Sequence, residues 1–572
     1  MGRRNDWTTT QGVNAIRSSS TSIPEPPYRH QCRARMRGWA LAAVAVLGCL
    51  TMIISNVRAA DSVAGAGPGV LPNLEGIVHE PYVEWRVEVA EVGAIDPWDV
   101  RAFATFTHRD RGTVYRVPWF YAGDGVFALR FTGPSVGVYD VRSSSADAAA
   151  LDGLSATVTI GANPDPDAKG YLTSDGDAFA YLVGDGTEKR RTLYNVFQRH
   201  TDAREPTGWE TVAHVPIDTD RPFDGLASRI EEMLDEVELH GMQALLLMIA
   251  HNSTSFPSAY DTAYREGRET PDQTTYAIVE EVLTRAHARG LFVHFWLWSD
   301  SEVGGSSESL PGGINGWLDR RLNEYFLARL GAYPNWSMSL GYDLEEWIDE
   351  EQVREWGTIM RSASTLPRLY MAREHGTHWR FGTLDLGGDK LDVYSNDFRP
   401  SEGFHVHARD RFDEVADRMP VMYERRFLHT RDDVWDMTTT RRAIWQFTLA
   451  GGAGGIYGTL WGPGPDYPDP AQLSTIARFW EPRFRHALRP NPDPIDGLVM
   501  HDDHERLVVY TEDASTVAIE IASGATNVRV VAVDTTRAYE ELEVGTFDGG
   551  THVVDLPRHS DWALAIGTFG HP

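Results

Sequence analysis

Carboxylates, amides, histidines and indoles recur where apolar runs give out in this chain. They are Asp185, His251 with Asn252, Trp298 with Asp300, Asp343 with Glu345 and Glu346, Glu374 with His375, Asn396 with Asp397, Glu424, and Trp461. Together these side chains suit carbohydrate chemistry. Indole faces stack on the apolar faces of sugar rings, carboxylates and amides bond hydroxyls, and two carboxyl groups can cleave an acetal, one as acid and one as nucleophile or base. Asp343 and Glu424 stand out, because each closes an otherwise apolar or small-residue run, where a carboxylate is costly unless used or paired. A paired structural acid is the competing account, and Arg425 and Arg426 adjoin Glu424 as ready partners. For any single residue the two accounts are even; for the set, the sugar site is the better one.

Other constellations carry less. His405-Val-His407 has the spacing of a metal-binding pair but lies late in the chain, so loop or binding-site histidines are expected there. His501-Asp-Asp-His504 reads as a solvated turn. Asn252-Ser-Thr and Asn335-Trp-Ser match glycosylation sequons by chance, at strand edges. No Gly-x-Ser-x-Gly elbow occurs, so nothing points to a serine esterase. No metal or cofactor is expected.

The elements that would position these groups follow from periodicity. Apolar runs ending at Asp185, His251, Asp300, Asp343, Glu374, Asp397, Glu424 and Gly462 alternate with helical patterns over 229–241, 274–290, 318–333, 351–364 and 440–452. Runs that are apolar throughout and polar only at their last residues are expected of parallel strands buried on both faces. Eight of them, beginning with 178–185, predict an eight-fold βα barrel with its chemistry at the C-terminal strand ends. A doubly wound sheet is the runner-up, but no Gly-rich phosphate loop follows the first run. Short alternating strands with turn signals flank the barrel on both sides. The predicted fold is therefore α/β, a (βα)8 TIM barrel between two all-β sandwich domains. The expected boundaries are an extension and leader at 1–59, a linker at 60–78, a β-sandwich at 79–165, the barrel at 166–488 and a second sandwich at 489–572.

Composition supports a folded, exported protein. With 42% hydrophobic and 24% charged residues the chain is not disordered, and a net charge of −29 excludes the basic footprint of a nucleic-acid binder. The apolar run Trp39–Ile54 follows Arg33, Arg35 and Arg37 and leads to Val57-Arg58-Ala59, the pattern of a secretory signal cleaved near Ala59. An uncleaved anchor is the alternative, and Met36 is an alternative start. Both cysteines, Cys32 and Cys49, precede that cleavage point, which leaves no thiol for catalysis or disulfides. After cleavage no membrane association is expected. Oligomeric state is not legible.

A family resemblance then becomes visible. Asn335-Trp-Ser-Met-Ser-Leu-Gly-Tyr-Asp343 resembles a strand of the apiosidase-like barrel glycoside hydrolases. Pro420-Val-Met-Tyr-Glu424, Arg441-Arg442-Ala-Ile-Trp445 and Ala450-Gly-Gly-Ala-Gly-Gly-Ile-Tyr-Gly458 resemble that family's later motifs in the same order. The flanks are similar too. Asp96-Pro-Trp-Asp-Val100, Phe106-Thr-His108 and Gly123-Asp-Gly125 look like its preceding β-sandwich, and Leu556-Pro-Arg-His-Ser-Asp561-Trp562 looks like its closing β-domain, which is named for collagen binding. The resemblance implies a secreted hydrolase of polysaccharide or oligosaccharide, with Asp343 after strand four as acid/base and Glu424 after strand seven as nucleophile. Asp185, His251, Asn252, Trp298, Asp300, Glu346, His375 and Trp461 would line the sugar subsites. Retention requires the two carboxyl groups about 5–5.5 Å apart, and inversion about 6.5–9.5 Å. Two departures stand out: Tyr342 replaces a glycine before Asp343, and Gly184-Asp185-Gly186-Thr187 replaces Gly-Asp-Thr. They leave Glu345 or Glu346 open as the acid/base. They also leave open a rival of another class, a non-catalytic carbohydrate-binding or adhesion protein on the same scaffold.

Overall fold

The computed structural model describes residues 69–90, 95–198, 223–249, 269–298, 306–341, 344–373, 385–386, 389–396, 403–415, 418–429, 436–459, 469–502 and 506–569. The expected leader lies outside the described residues.

Eight parallel strands carry the central unit: β1 (Tyr194–Gln198), β2 (Ala244–Met248), β3 (Phe292–Trp298), β4 (Trp336–Gly341), β5 (Tyr370–Met371), β6 (Tyr394–Asn396), β7 (Val421–His429) and β8 (Gly454–Thr459). Their order in the sheet is β5-β4-β3-β2-β1-β8-β7-β6. A parallel bridge between Arg373 and Ser395 joins the two ends of that order, so the sheet closes into a barrel. Helices follow the strands: α1 (Leu226–Leu239), α2 (Gln273–Ala288), α3 (Trp317–Leu330) and α4 (Glu350–Ala363) after β1 to β4, then α5 (Phe404–Val415), α6 (Met437–Leu449) and α7 (Pro470–Trp480) after β6 to β8. Their starts are set by side-chain caps. Asp272, Asp436 and Asp469 accept backbone N–H groups of the first turns of α2, α6 and α7, and Asp349 forms a reciprocal capping box with Gln352 at α4. His405 and His407, expected in a loop or binding site, lie in the first turn of α5. At that spacing two helical side chains do not face each other.

Two apolar layers hold the barrel. Outward residues of β3 and β4 (Val293, Phe295, Leu297, Trp336, Met338, Leu340) pack against the helices. Inward ones, including Val196, Leu246, Phe292, Met422 and Ile456, fill the lower interior together with Phe179, Tyr181 and Val183. Those last three residues correct an expectation. The run 178–185 is not the first barrel strand. Ala178–Val183 is instead the middle of a three-stranded antiparallel sheet with Leu172–Asp175 and Glu188–Thr192, packed against the N-terminal end of β1, with Phe179 4.8 Å from the ring of Tyr194. A strand covered on both faces is apolar throughout whether it lines a barrel or plugs one, so pattern alone does not separate the two. The true first strand, Tyr-Asn-Val-Phe-Gln, carries two amides and does not advertise itself.

In the N-terminal β-structure a five-stranded sheet and a three-stranded sheet enclose Trp85, Phe106, Phe131 and Tyr139. Ala102–His108 shows strict alternation of buried and half-buried residues. Leu74–Ile77, expected as linker, pairs in parallel with Ser155–Gly161 at the sheet edge. The C-terminal β-structure is one six-stranded antiparallel sheet. Its long strands Leu507–Ile521 and Gly550–Ile566 shift register around Ala514, and it encloses Val517, Ile519, Trp562 and Leu564.

Candidate active site

Alternation along β4 prepares a polar pocket inside the barrel. Trp336, Met338 and Leu340 point out to the helices, so Ser337, Ser339 and Gly341 point in, and their small volume leaves room for larger neighbours. His294 of β3 pairs in register with Ser337 and fills part of that room. Glu424 of β7 fills more of it. All of these side chains have zero exposure.

The Glu424 carboxylate draws donors from three other strands. His294 Nε2 donates to Oε1 at 3.0 Å, Ser339 Oγ reaches Oε2 at 3.2 Å, and Ser395 Oγ of β6 donates to the same oxygen. A carboxylate can only accept, which fixes the proton on Nε2. His294 Nδ1 then meets Ser337 Oγ at 2.9 Å, and Ser337 Oγ meets Tyr194 Oη at 2.8 Å. Burial pushes the Tyr194 phenol well above its ordinary range, and the Glu424 charge adds to that. The phenol therefore keeps its proton, and Tyr194 Oη, Ser337 Oγ and His294 Nδ1 stand in hydrogen-bond contact in that order. One hydrogen-bonded chain thus links Tyr194, Ser337, His294 and Glu424, and every polar atom in it has a partner. Arg373, on the β5 side of the bridge to Ser395, is buried with its guanidinium 6.0 Å from the Trp296 ring.

The anchored carboxylate is thus held in one orientation inside the barrel. Glu424 is the fourth residue of β7, which runs on to His429, whereas the sequence places it at the end of its strand. β4, which supplies Ser339, ends at Gly341, two residues before Asp343. Asp343 itself lies outside the described residues.

A family model described as a domain of unknown function (DUF5060) matches residues 81–146, within the N-terminal β-structure. No curated protein matches the sequence. Among solved structures, a provisionally assigned glycoside hydrolase from Bacteroides vulgatus aligns with a TM-score of 0.64 at 13% identity, over 87% of this chain and 100% of its own. A family 5 glycoside hydrolase from the same organism aligns at 0.52 and 14%, over 70% and 94%. A third structure, named only as a glycoside hydrolase, gives 0.53 and 14%, over 71% and 99%. What these proteins share with the chain is the fold.

The other sequence candidates divide. Trp298 closes β3 and lies buried, stacked on Trp356 of α4 at 6.2 Å and 13°. Glu346 is exposed in a short 3-10 turn, Leu344–Glu346, after β4. Asp185 is corrected. It sits in the turn after Val183, away from the barrel's strand ends, paired with Arg111 of the N-terminal β-structure, and its hydrogen bond from Thr187 holds its carboxyl below the usual range. The displaced first strand explains this change. His251, Asn252, Asp300, Asp343, His375 and Trp461 lie outside the described residues. Among the described residues no group of three or more His, Cys, Asp or Glu side chains is placed to hold a metal ion, and no helix is long and apolar enough to cross a membrane.

Sequence reasoning missed Tyr194, His294, Ser337, Ser339 and Ser395. The signals were present: a single histidine within an otherwise apolar β3, and serines alternating with Trp336, Met338 and Leu340 in β4. Reading the runs as apolar up to their ends hid these mid-strand polar positions.

Proposed function

We propose that this chain is a secreted glycoside hydrolase that cleaves glycosidic bonds in a polysaccharide or oligosaccharide by retaining double displacement. One observation carries the reading: a fully buried carboxylate on β7 of an eight-stranded βα barrel, oriented by donors from β3, β4 and β6. In this mechanism Glu424 attacks the anomeric carbon while Asp343 protonates the departing oxygen, which leaves a glycosyl ester on Glu424. Asp343 then takes a proton from water, the resulting hydroxide displaces Glu424, and the sugar leaves with its configuration retained. A general acid must hold its proton near neutrality, so the Asp343 carboxyl is expected to titrate high. Trp298, Glu346 and the strand-end residues His251, Asn252, Asp300, His375 and Trp461 are the proposed sugar-lining set. The likeness of fold to glycoside hydrolases agrees with this reading without assigning a substrate.

The test is product release from plant, algal and bacterial polysaccharides by the purified chain, with Glu424→Gln and Asp343→Asn in parallel. Release that vanishes in both variants supports the mechanism. Activity that survives Asp343→Asn moves the acid to Glu345 or Glu346. Glycan retention without turnover in any form replaces the hydrolase with a carbohydrate-binding protein.

A further inference from the structure

At the mouth end of β1 stands Gln198, with zero exposure, and neither its amide oxygen nor its amide nitrogen has a hydrogen-bond partner. It belongs to the inward row of its strand. Tyr194 in that row bonds Ser337 across the interior, and Val196 lies in the inner apolar layer. Register fixes its height. Tyr423, next to Glu424, pairs with Gly455 of β8 and Gln198 pairs with Gly458, and because the strands of a barrel tilt, this stagger brings Gln198 and Glu424, two strands apart, into one layer of inward side chains. Inward positions near this level are bare on two strands, Gly341 and Gly458. Gly458 has φ +150°, and a Cβ added there would fall 2.0 Å from the Gln198 carbonyl oxygen, so β8 must stay unsubstituted where it passes Gln198.

A buried amide without partners is unfavourable, and an apolar residue of the same size would fit the neighbouring barrel interior better. We infer that Gln198 is a substrate-recognition residue whose amide pairs with a ring hydroxyl of the sugar bound at the barrel mouth over Glu424. An amide offers both a donor and an acceptor, and a hydroxyl answers either one. This inference rests on the carbohydrate reading of the same site, but not on turnover.

Calorimetric titration of the Glu424→Gln chain with a panel of plant, algal and bacterial oligosaccharides identifies a ligand, and the titration is repeated with Gln198→Leu added. The expected result is a loss of about tenfold in affinity, with a thermal midpoint equal to or above that of the parent. A deoxy analogue lacking the paired hydroxyl should bind both forms equally. Unchanged affinity in Gln198→Leu overturns the inference, and so does a fall in thermal midpoint that accompanies the affinity loss. The two readings fail separately. Binding that depends on Gln198 without hydrolysis by the wild type removes the hydrolase and keeps the recognition residue. Hydrolysis that is indifferent to Gln198→Leu does the reverse. Failure of every oligosaccharide to bind overturns both.

Discussion

His294 and Glu424 share one hydrogen bond at 3.0 Å with no solvent contact, so neither can lose the other without leaving a buried polar group unpaired. His294→Ala removes one donor from the carboxylate and the ring nitrogen facing Ser337. The expected loss is about 3 kcal/mol in guanidinium unfolding, from the upper range for hydrogen bonds to charged groups. Tyr194→Phe lies at the far end of the chain and should cost about 1 kcal/mol. Because the residues act through one network, the double variant is expected to cost less than the sum, which a double-mutant cycle reads directly. At this scale the sequence marks Glu424 but not the residues that bond it. Glu424 could be found because it ends an apolar run, whereas its partners sit mid-strand, and which of them face the carboxylate depends on strands far apart in sequence.

Elements around β3 and β4 are pinned by one unusual acid. Asp319 of α3 is fully buried. Its carboxylate accepts from Trp356 Nε1 of α4 at 2.7 Å, from the Asn315 backbone at 2.7 Å and from Asn323 Nδ2 at 2.9 Å. Trp356 in turn backs Trp298 at the end of β3. Burial outweighs those hydrogen bonds and pushes the Asp319 carboxyl up to about 6. The folded state therefore binds this proton more tightly than the unfolded chain, so the site's contribution to stability is fully present below about pH 4 and declines as pH rises through 6. Asp319→Asn abolishes that dependence. Between pH 4 and 7 the stability of wild type relative to the variant should fall by about 3 kcal/mol, measured by denaturant unfolding at each pH. Five of the seven described helices, α1 to α4 and α6, were marked in the sequence, since the 3.6-residue period is local, whereas α5 and α7 were not. The first barrel strand was not, because Ala178–Val183 has the same all-apolar pattern for a different reason.

Buried ion pairs fasten the β-structures to the barrel. Arg130 bonds Glu84 at 2.7 Å within the N-terminal β-structure and pairs with Glu280 of α2, which also takes Arg329 of α3 at 2.7 and 3.0 Å. Burial opposes the Glu280 charge, but Arg130 and Arg329 prevail and hold its carboxyl below the usual range. On the other side Asp561 receives Arg441 and Arg442 of α6 at 2.6 and 2.8 Å, beside the stacked rings of Trp445 and Tyr510. Asp561→Ala strands Arg441, which is buried, and is expected to cost about 3–5 kcal/mol in unfolding followed by tryptophan fluorescence. The sequence motif around Arg441 and Asp561 was visible, but not that its two halves meet, since the residues are more than a hundred positions apart.

By itself the sequence determined the barrel class, the β-structure on either side of it, five of the seven described helices and the strand that carries Glu424. All of these depend on periodicity and turn signals over short stretches. Only the tertiary structure decided which apolar run is the plug and which the first strand, that Asp185 faces Arg111, and that His294, Ser339 and Ser395 converge on one carboxylate. The physical reason is closure. Inward side chains become neighbours only when eight strands close on themselves, and no local pattern records which distant residues will then share a layer.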